Sequence, residues 1–169
     1  MRLKPMAISL VFLTACFSFI QAMGAPDVVV LRIGGKISNS NSKDKKTFEF
    51  TQSEFDKLPT IEIEAKSSHA QKKARFSGPR VTDALNRAGI KAGAREIIVT
   101  AMDGYRTRIP LSEIAKYEVI LATKQDGKQL TLETKGPIWM MYPRDKHPEL
   151  GTMATENRLV WSLVRIDVP

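Results

Sequence analysis

The stretch Glu96-Ile97-Ile98-Val99-Thr100-Ala101-Met102-Asp103-Gly104-Tyr105-Arg106-Thr107-Arg108-Ile109-Pro110 decides the fold class. Its first half is rich in β-branched residues, and its second half, from Tyr105 to Ile109, reads as a strand running back. Asp103-Gly104 between them reads as a tight hairpin turn, because glycine reaches positive φ without steric cost. Strands joined by so short a turn are antiparallel, since a parallel pair needs a crossover of about a dozen residues. Asp126-Gly127 repeats the device between Val119-Ile120-Leu121-Ala122 and Gln129 to Glu133.

Working outward, Val28-Val29-Val30-Leu31-Arg32-Ile33 reads as a strand ended by Gly34-Gly35. Residues 36–46 are polar and read as a loop, and Thr47 to Phe50 as a short strand. Thr51-Gln52-Ser53-Glu54 has the form of a capping box and predicts a helix to about Leu58, before Pro59. Ile61-Glu62-Ile63-Glu64 alternates apolar and charged, as a half-buried strand does. Residues 66–75 read as a loop. Phe76-Ser77-Gly78-Pro79 leads into a helix, with Pro79 suited to its first turn. Val81, Ala84, Leu85 and Ala88 fall at helical spacing, and Gly89 supplies the cap. Beyond the hairpin, Pro110 to Ala115 reads as a helical turn and Ile138 to Tyr142 as an apolar segment. Arg158 to Val168 reads as a closing strand that buries Trp161, Leu163, Val164 and Ile166. Many short strands with two or three short helices predict an α+β fold on a mixed, largely antiparallel sheet.

Length and composition agree with one domain. The chain has 169 residues, 43% hydrophobic and 26% charged. Its one cysteine excludes a disulfide framework and a multi-cysteine metal site, and two histidines leave little for a metal cluster. Arg2 and Lys4, the apolar run Met6 to Ile20 and the small residues Ala22-Met23-Gly24 read as an export leader over residues 1–24. The expected mature domain is residues 25–169, placed in the periplasm. Leu13-Thr14-Ala15-Cys16 offers lipidation at Cys16 as the less favoured route, because the apolar run continues past it. Without Arg2 and Lys4, 24 basic residues face 18 acidic ones, a balance of +6.

Basic residues cluster at Lys43, Lys45 and Lys46, read as a solvated face, and at Lys66, Lys72, Lys73 and Arg75, followed by Arg80 and Arg87. No nucleic-acid-binding pattern accompanies them. The second cluster also carries Ser68 and His69, but the chain lacks G-x-S-x-G, so serine catalysis is not expected. Tyr105 follows a hairpin turn and is either a phenol at a pocket mouth or a core aromatic. Gly136-Pro137-Ile138-Trp139 to Tyr142-Pro143-Arg144 either lines a cleft or ends a buried strand, and Arg144, Lys146 and His147 can contact an anion.

Taken in order, Phe76-x-Gly78, Val81-x-Asp83-Ala84-Leu85-x-x-Ala88-Gly89, Ala101-x-Asp103-Gly104-Tyr105 and Ile109-Pro110 form one pattern. It continues through Leu121-Ala122, Asp126-Gly127-x-x-Leu130, Gly136-Pro137-Ile138, Pro143, Trp161 and Ile166-x-Val168. Over most of residues 31–168 this resembles the molybdopterin-binding oxidoreductase domain, the sulfite-oxidase fold. The resemblance implies a molybdenum centre on a pterin dithiolene. It also implies a cysteine thiolate in the loop after the strand at Ile61–Glu64. Here that loop reads Ala65-Lys66-Ser67-Ser68-His69-Ala70, without cysteine. Trp139 and Val160 stand where the family often has Arg and Lys.

The expectation is therefore an exported module that keeps the fold and binds a ligand or serves a sensor, without catalytic residues or metal ligands. No cofactor is expected, molybdopterin entering by resemblance alone. The candidate ligand-binding set is Ser68, His69, Arg75, Tyr105, Arg144 and His147. Arg75 and Arg144 would contact an anion, and the others would form hydrogen bonds. The expected partner is an anionic small molecule, or a membrane-bound sensor or redox protein, and not nucleic acid. Two alternatives stay open: a molybdenum-cofactor oxidoreductase with Ser67, Ser68 or His69 replacing the thiolate, and a structural protein that docks a partner on a free strand edge.

Overall fold

Residues 27–66 and 73–169 are described by the computed structural model. The chain opens with β1 (Val29–Gly35) and β2 (Thr47–Thr51), then α1 (Gln52–Phe55), β3 (Thr60–Ala65) and β4 (Ala74–Pro79). It continues through α2 (Val81–Arg87), β5 (Glu96–Ala101), β6 (Arg106–Pro110), α3 (Leu111–Tyr117) and β7 (Ile120–Ala122). The short pair β8 (Lys124–Gln125) and β9 (Lys128–Gln129) follows, then β10 (Trp139–Met141), α4 (Met153–Glu156) and β11 (Leu163–Val168).

Three sheets result: β2-β1-β11-β5-β6, β3-β4-β8-β9 and the pair β10-β7. Among the described residues only β1 and β11 pair in parallel; the other ladders are antiparallel. The fold is thus α+β on mixed, largely antiparallel sheets. Alternate residues of β5, Ile97, Val99 and Ala101, are buried, as the period of two dictates. They join Leu31 and Ile33 of β1 and Leu163 and Ile166 of β11 in one core.

The local signals hold. Thr51 and Glu54 close a capping box on α1, although the helix ends at Phe55 rather than near Leu58. Val81, Ala84 and Leu85 are the buried face of α2, and Gly89 follows its cap at φ +70°. Four expectations are corrected. Pro79 is the last residue of β4 and not a helix residue, because residues 74–79 pair along β3. The turn at Asp126-Gly127 joins only β8 and β9, while Ile120–Ala122 pairs with Trp139–Met141. Leu132–Thr134 is a 3-10 turn rather than strand. Trp161 is 42% exposed rather than buried, since β11 begins only at Leu163.

Gly78 marks where two sheets touch. A Cβ there would lie 2.0 Å from the Leu121 carbonyl oxygen and 2.8 Å from the Ala122 Cα. Backbone of β4 and β7 meets with no side chain between, and the Arg80–Ile120 bridge continues the contact.

The outer border of β2 is closed by a side chain. The Asn41 amide donates to the Glu49 carbonyl at 2.9 Å, and its oxygen accepts from the Glu49 N–H at 2.6 Å. It copies a strand's donor and acceptor at the Glu49 step, while the Thr47 carbonyl beside it accepts from the Asn41 and Ser42 N–H groups and the Thr47 N–H donates to the Ser42 hydroxyl. Asn41→Ala is expected to destabilise by about 1–2 kcal/mol, the loss of two exposed hydrogen bonds. Urea midpoints of the two proteins check this.

Candidate functional site

The turn read from sequence builds one wall of a cleft. Gly104 sits at φ +89°, and the Asp103 carboxylate accepts from the Tyr105 N–H at 2.9 Å. This fixes where Tyr105 leaves the hairpin. Its hydroxyl donates to the Asn157 carbonyl at 2.8 Å, so the phenol lies across the hairpin toward α4. The ring stays 45% exposed. The opposite wall is Glu156 and Asn157, with Leu159, Val160 and Trp161 beneath and beside it. The cleft encloses about 240 Å³.

Thr152 caps α4, its side chain accepting from the Thr155 N–H at 3.2 Å. That orients Glu156, whose carboxylate takes the Arg144 guanidinium at 2.5 Å. Both side chains are mostly buried, at 17% and 22% exposure for Arg144 and Glu156. Arg144 also reaches the Lys66 carbonyl at 3.4 Å. Behind this pair lies a second one. Glu113 of α3 accepts from the fully buried Tyr142 hydroxyl at 2.8 Å and pairs with Arg158. Burial and then the Glu113 bond push the Tyr142 phenol well above its ordinary pKa, with Arg158 opposing.

At the cleft's edge Lys135 lies 4.5 Å from the Trp139 ring and 5.1 Å from the Trp161 ring. Its backbone is held by the Ser162 N–H at 3.0 Å. Desolvation holds its pKa below the usual lysine value, with Glu156 opposing. Cation–π attraction from two indoles also favours the ammonium form, so we read Lys135 as charged.

The expected residues do not form one cleft. Tyr105 lines the first cleft, and Arg144 reaches it only through Glu156. His147 lines a second cleft of about 230 Å³ between β3 and the end of α3, with Lys116, Tyr117 and Lys146. There His147 packs edge-on to Tyr117 at 5.0 Å and lies 3.5 Å from Glu149. Arg75 is exposed on β4, 3.7 Å from Glu62. Ser68 and His69 lie outside the described residues. The single pocket expected for Arg75, Tyr105, Arg144 and His147 is therefore corrected: Tyr105 and His147 line separate clefts, and Arg75 and Arg144 line neither of these two. Arg144 is drawn toward α4 by Glu156, while His147 packs on Tyr117 at the end of α3. Sequence reasoning missed Glu113, Lys135, Glu156 and Asn157. The cap at Thr152 and Thr155 was the one readable sign of α4.

The family model for the oxidoreductase molybdopterin binding domain matches residues 41–145. Among solved structures the chain is similar to the sulfane dehydrogenase SoxCD from Paracoccus pantotrophus, at 17% identity and a TM-score of 0.61. That likeness covers 82% of this chain and 37% of the other, so this chain spans little more than a third of its length. At such identity it shows the fold. No curated protein matches. With more than half of its residues matched by the model, and the corresponding fold present, the chain belongs to the oxidoreductase molybdopterin-binding domain family.

Proposed function

We propose that this chain is an exported binding module of its family that works without the molybdenum cofactor. The observation that carries the reading is the donor set. A soft metal centre of this kind takes a thiolate, and the chain's one cysteine is Cys16, in the expected leader. β3 ends at Ala65, a buried methyl side chain, where the resemblance calls for a sulfur-bearing loop. Among the described residues no three His, Asp, Glu or Cys side chains converge as metal ligands. These residues do not fit the group, and no step is derived through it.

The cleft at Tyr105 is the binding site in this reading. Its walls carry two aromatic rings, the Asn157 amide and the Asp103 and Glu156 carboxylates, and Arg144 is already paired. These features favour a small ligand with a flat apolar face and hydrogen-bond donors over an anion. The occupied module would then be read by a membrane-bound sensor or redox partner. No helix among the described residues is long and apolar enough to cross a membrane.

The test is elemental and fluorescence analysis of protein purified from the periplasmic fraction. Substoichiometric molybdenum and no pterin fluorescence after denaturation are expected. One molybdenum per chain with released pterin would favour the alternative, an oxidoreductase in which Ser67, Ser68 or His69 replaces the thiolate. A native mass-spectrometric survey then identifies what the cleft retains. Ligand entry should change the emission of Trp161, which lines it.

A further inference from the structure

A third feature lies away from both clefts, at the end of the five-stranded sheet where β1 and β11 finish. From sequence, Lys43, Lys45 and Lys46 form a local cluster in the β1–β2 loop. The fold adds a second segment to it. The Ser38 N–H donates to the Gly89 carbonyl at 2.8 Å, and the Lys91 N–H donates to the Lys36 carbonyl at 3.0 Å. The Asn39 side chain donates to the Arg87 carbonyl at 2.9 Å. The Arg87 guanidinium lies 5.6 Å from the centre of the Phe48 ring, two residues from Lys46. Lys36, Lys45, Lys46, Arg87 and Lys91 are thereby gathered from two stretches of chain.

These cations are uncompensated. Other basic residues are matched in ion pairs, among them Arg32 with Glu49, Arg108 with Glu96 and Arg165 with Asp167. Among the described residues, none of the five has an ion-pair partner. The loop's one carboxylate, Asp44, accepts from the Ser42 hydroxyl at 2.7 Å and the Lys46 N–H at 3.1 Å. Five basic residues thus share this end of the sheet with one loop carboxylate. Two of the five, Lys45 and Lys46, line a groove of about 380 Å³ together with Gly35, Ile37, Ser38 and Ser40. The Ser40 hydroxyl has no partner among the described residues.

We propose that this groove is a binding site for phosphate-class anions. Compact ammonium groups and a free hydroxyl suit a tetrahedral anion with several acceptor oxygens. A lone carboxylate would leave most of the positive charge unanswered. Two sources share this chemistry: a soluble phosphate and the phosphate headgroups of an anionic bilayer. The site is independent of whether the Tyr105 cleft holds a cofactor.

The experiment has two arms. In the first, the full chain is sedimented with vesicles of phosphatidylglycerol and phosphatidylcholine, and with phosphatidylcholine alone. The difference between the two removes any apolar contribution of the N-terminal residues. A cation near an anionic surface is worth about a fivefold change in partition. The triple variant Lys36→Gln, Lys45→Gln, Lys46→Gln should therefore lose about a hundredfold of the anionic preference. The control Lys57→Gln, Lys124→Gln, Lys128→Gln removes the same charge from other surfaces and should lose far less. In the second arm, inorganic phosphate is titrated while backbone amide resonances are followed. Shifts confined to Ser38, Ser40, Lys45 and Lys46, without vesicle preference, assign the site to soluble phosphate. Selective loss of vesicle binding in the first variant assigns it to lipid headgroups. Equal losses in both triple variants, or no response in either arm, overturn the proposal.

Discussion

Gly78→Ala is expected to cost about 3 kcal/mol, the upper end of overpacking penalties, and to lower Tm by about 10 °C. The added Cβ would fall 2.0 Å from the Leu121 oxygen, with the Leu121 carbon at 2.7 Å. Both obstructing atoms are backbone, so no rotamer change relieves the clash, and β4 and β7 must separate. Gly93→Ala is the matched control. Its Cβ would meet nothing within 4 Å, so only the strain of φ +85° remains. That strain costs about 1 kcal/mol. Thermal and urea unfolding of both variants checks the difference, and equal losses would remove the close approach as the reason Gly78 is glycine.

The second large effect is expected at Glu113. Glu113→Ala strips the partner from the Tyr142 hydroxyl and from Arg158 at once, in a region where Tyr142 has no exposed surface. Leaving a mostly buried cation and a buried hydroxyl unpaired costs about 3 kcal/mol. The pH dependence is separate and belongs to the phenol. In the unfolded chain tyrosine loses its proton near about pH 10. Burial and the Glu113 bond hold the Tyr142 proton to higher pH in the folded state. Above about pH 10 the unfolded state then binds fewer protons than the folded one. Stability is complete below that pH and falls above it by about 1.4 kcal/mol per pH unit. Tyr142→Phe should lose the hydroxyl's bond but flatten this alkaline decline. Urea melts of the two proteins between about pH 9 and pH 11 decide it.

What could be read from the sequence was what a few adjacent residues settle. Asp103-Gly104 fixed a hairpin, and with it Tyr105, because the turn's geometry is local. The capping box at Thr51 and Glu54 and the apolar spacing of Val81, Ala84 and Leu85 are local in the same sense. The failures are non-local. Ile120–Ala122 pairs with Trp139–Met141 rather than across the nearest turn, a choice made by packing beneath β4. Trp161 reads as a core residue by type, yet its exposure follows from where β11 begins. Arg144 and His147 are three residues apart, but pairing with Glu156 draws one toward α4, while Tyr117 and Glu149 hold the other beside α3. The basic groove shows the same limit: its loop lysines were visible in sequence, but Lys36, Arg87 and Lys91 join them only through the fold.

One carboxamide, on Asn41, covers the middle step of the largest sheet's border at β2. Slow hydrolysis to aspartate during storage would replace its donor by a negative oxygen facing the Glu49 carbonyl. An aged sample would then expose the Glu49 backbone on that flank, open to side-by-side pairing with its neighbours. Shelf life in concentrated solution is thereby tied to the chemistry of a single side chain.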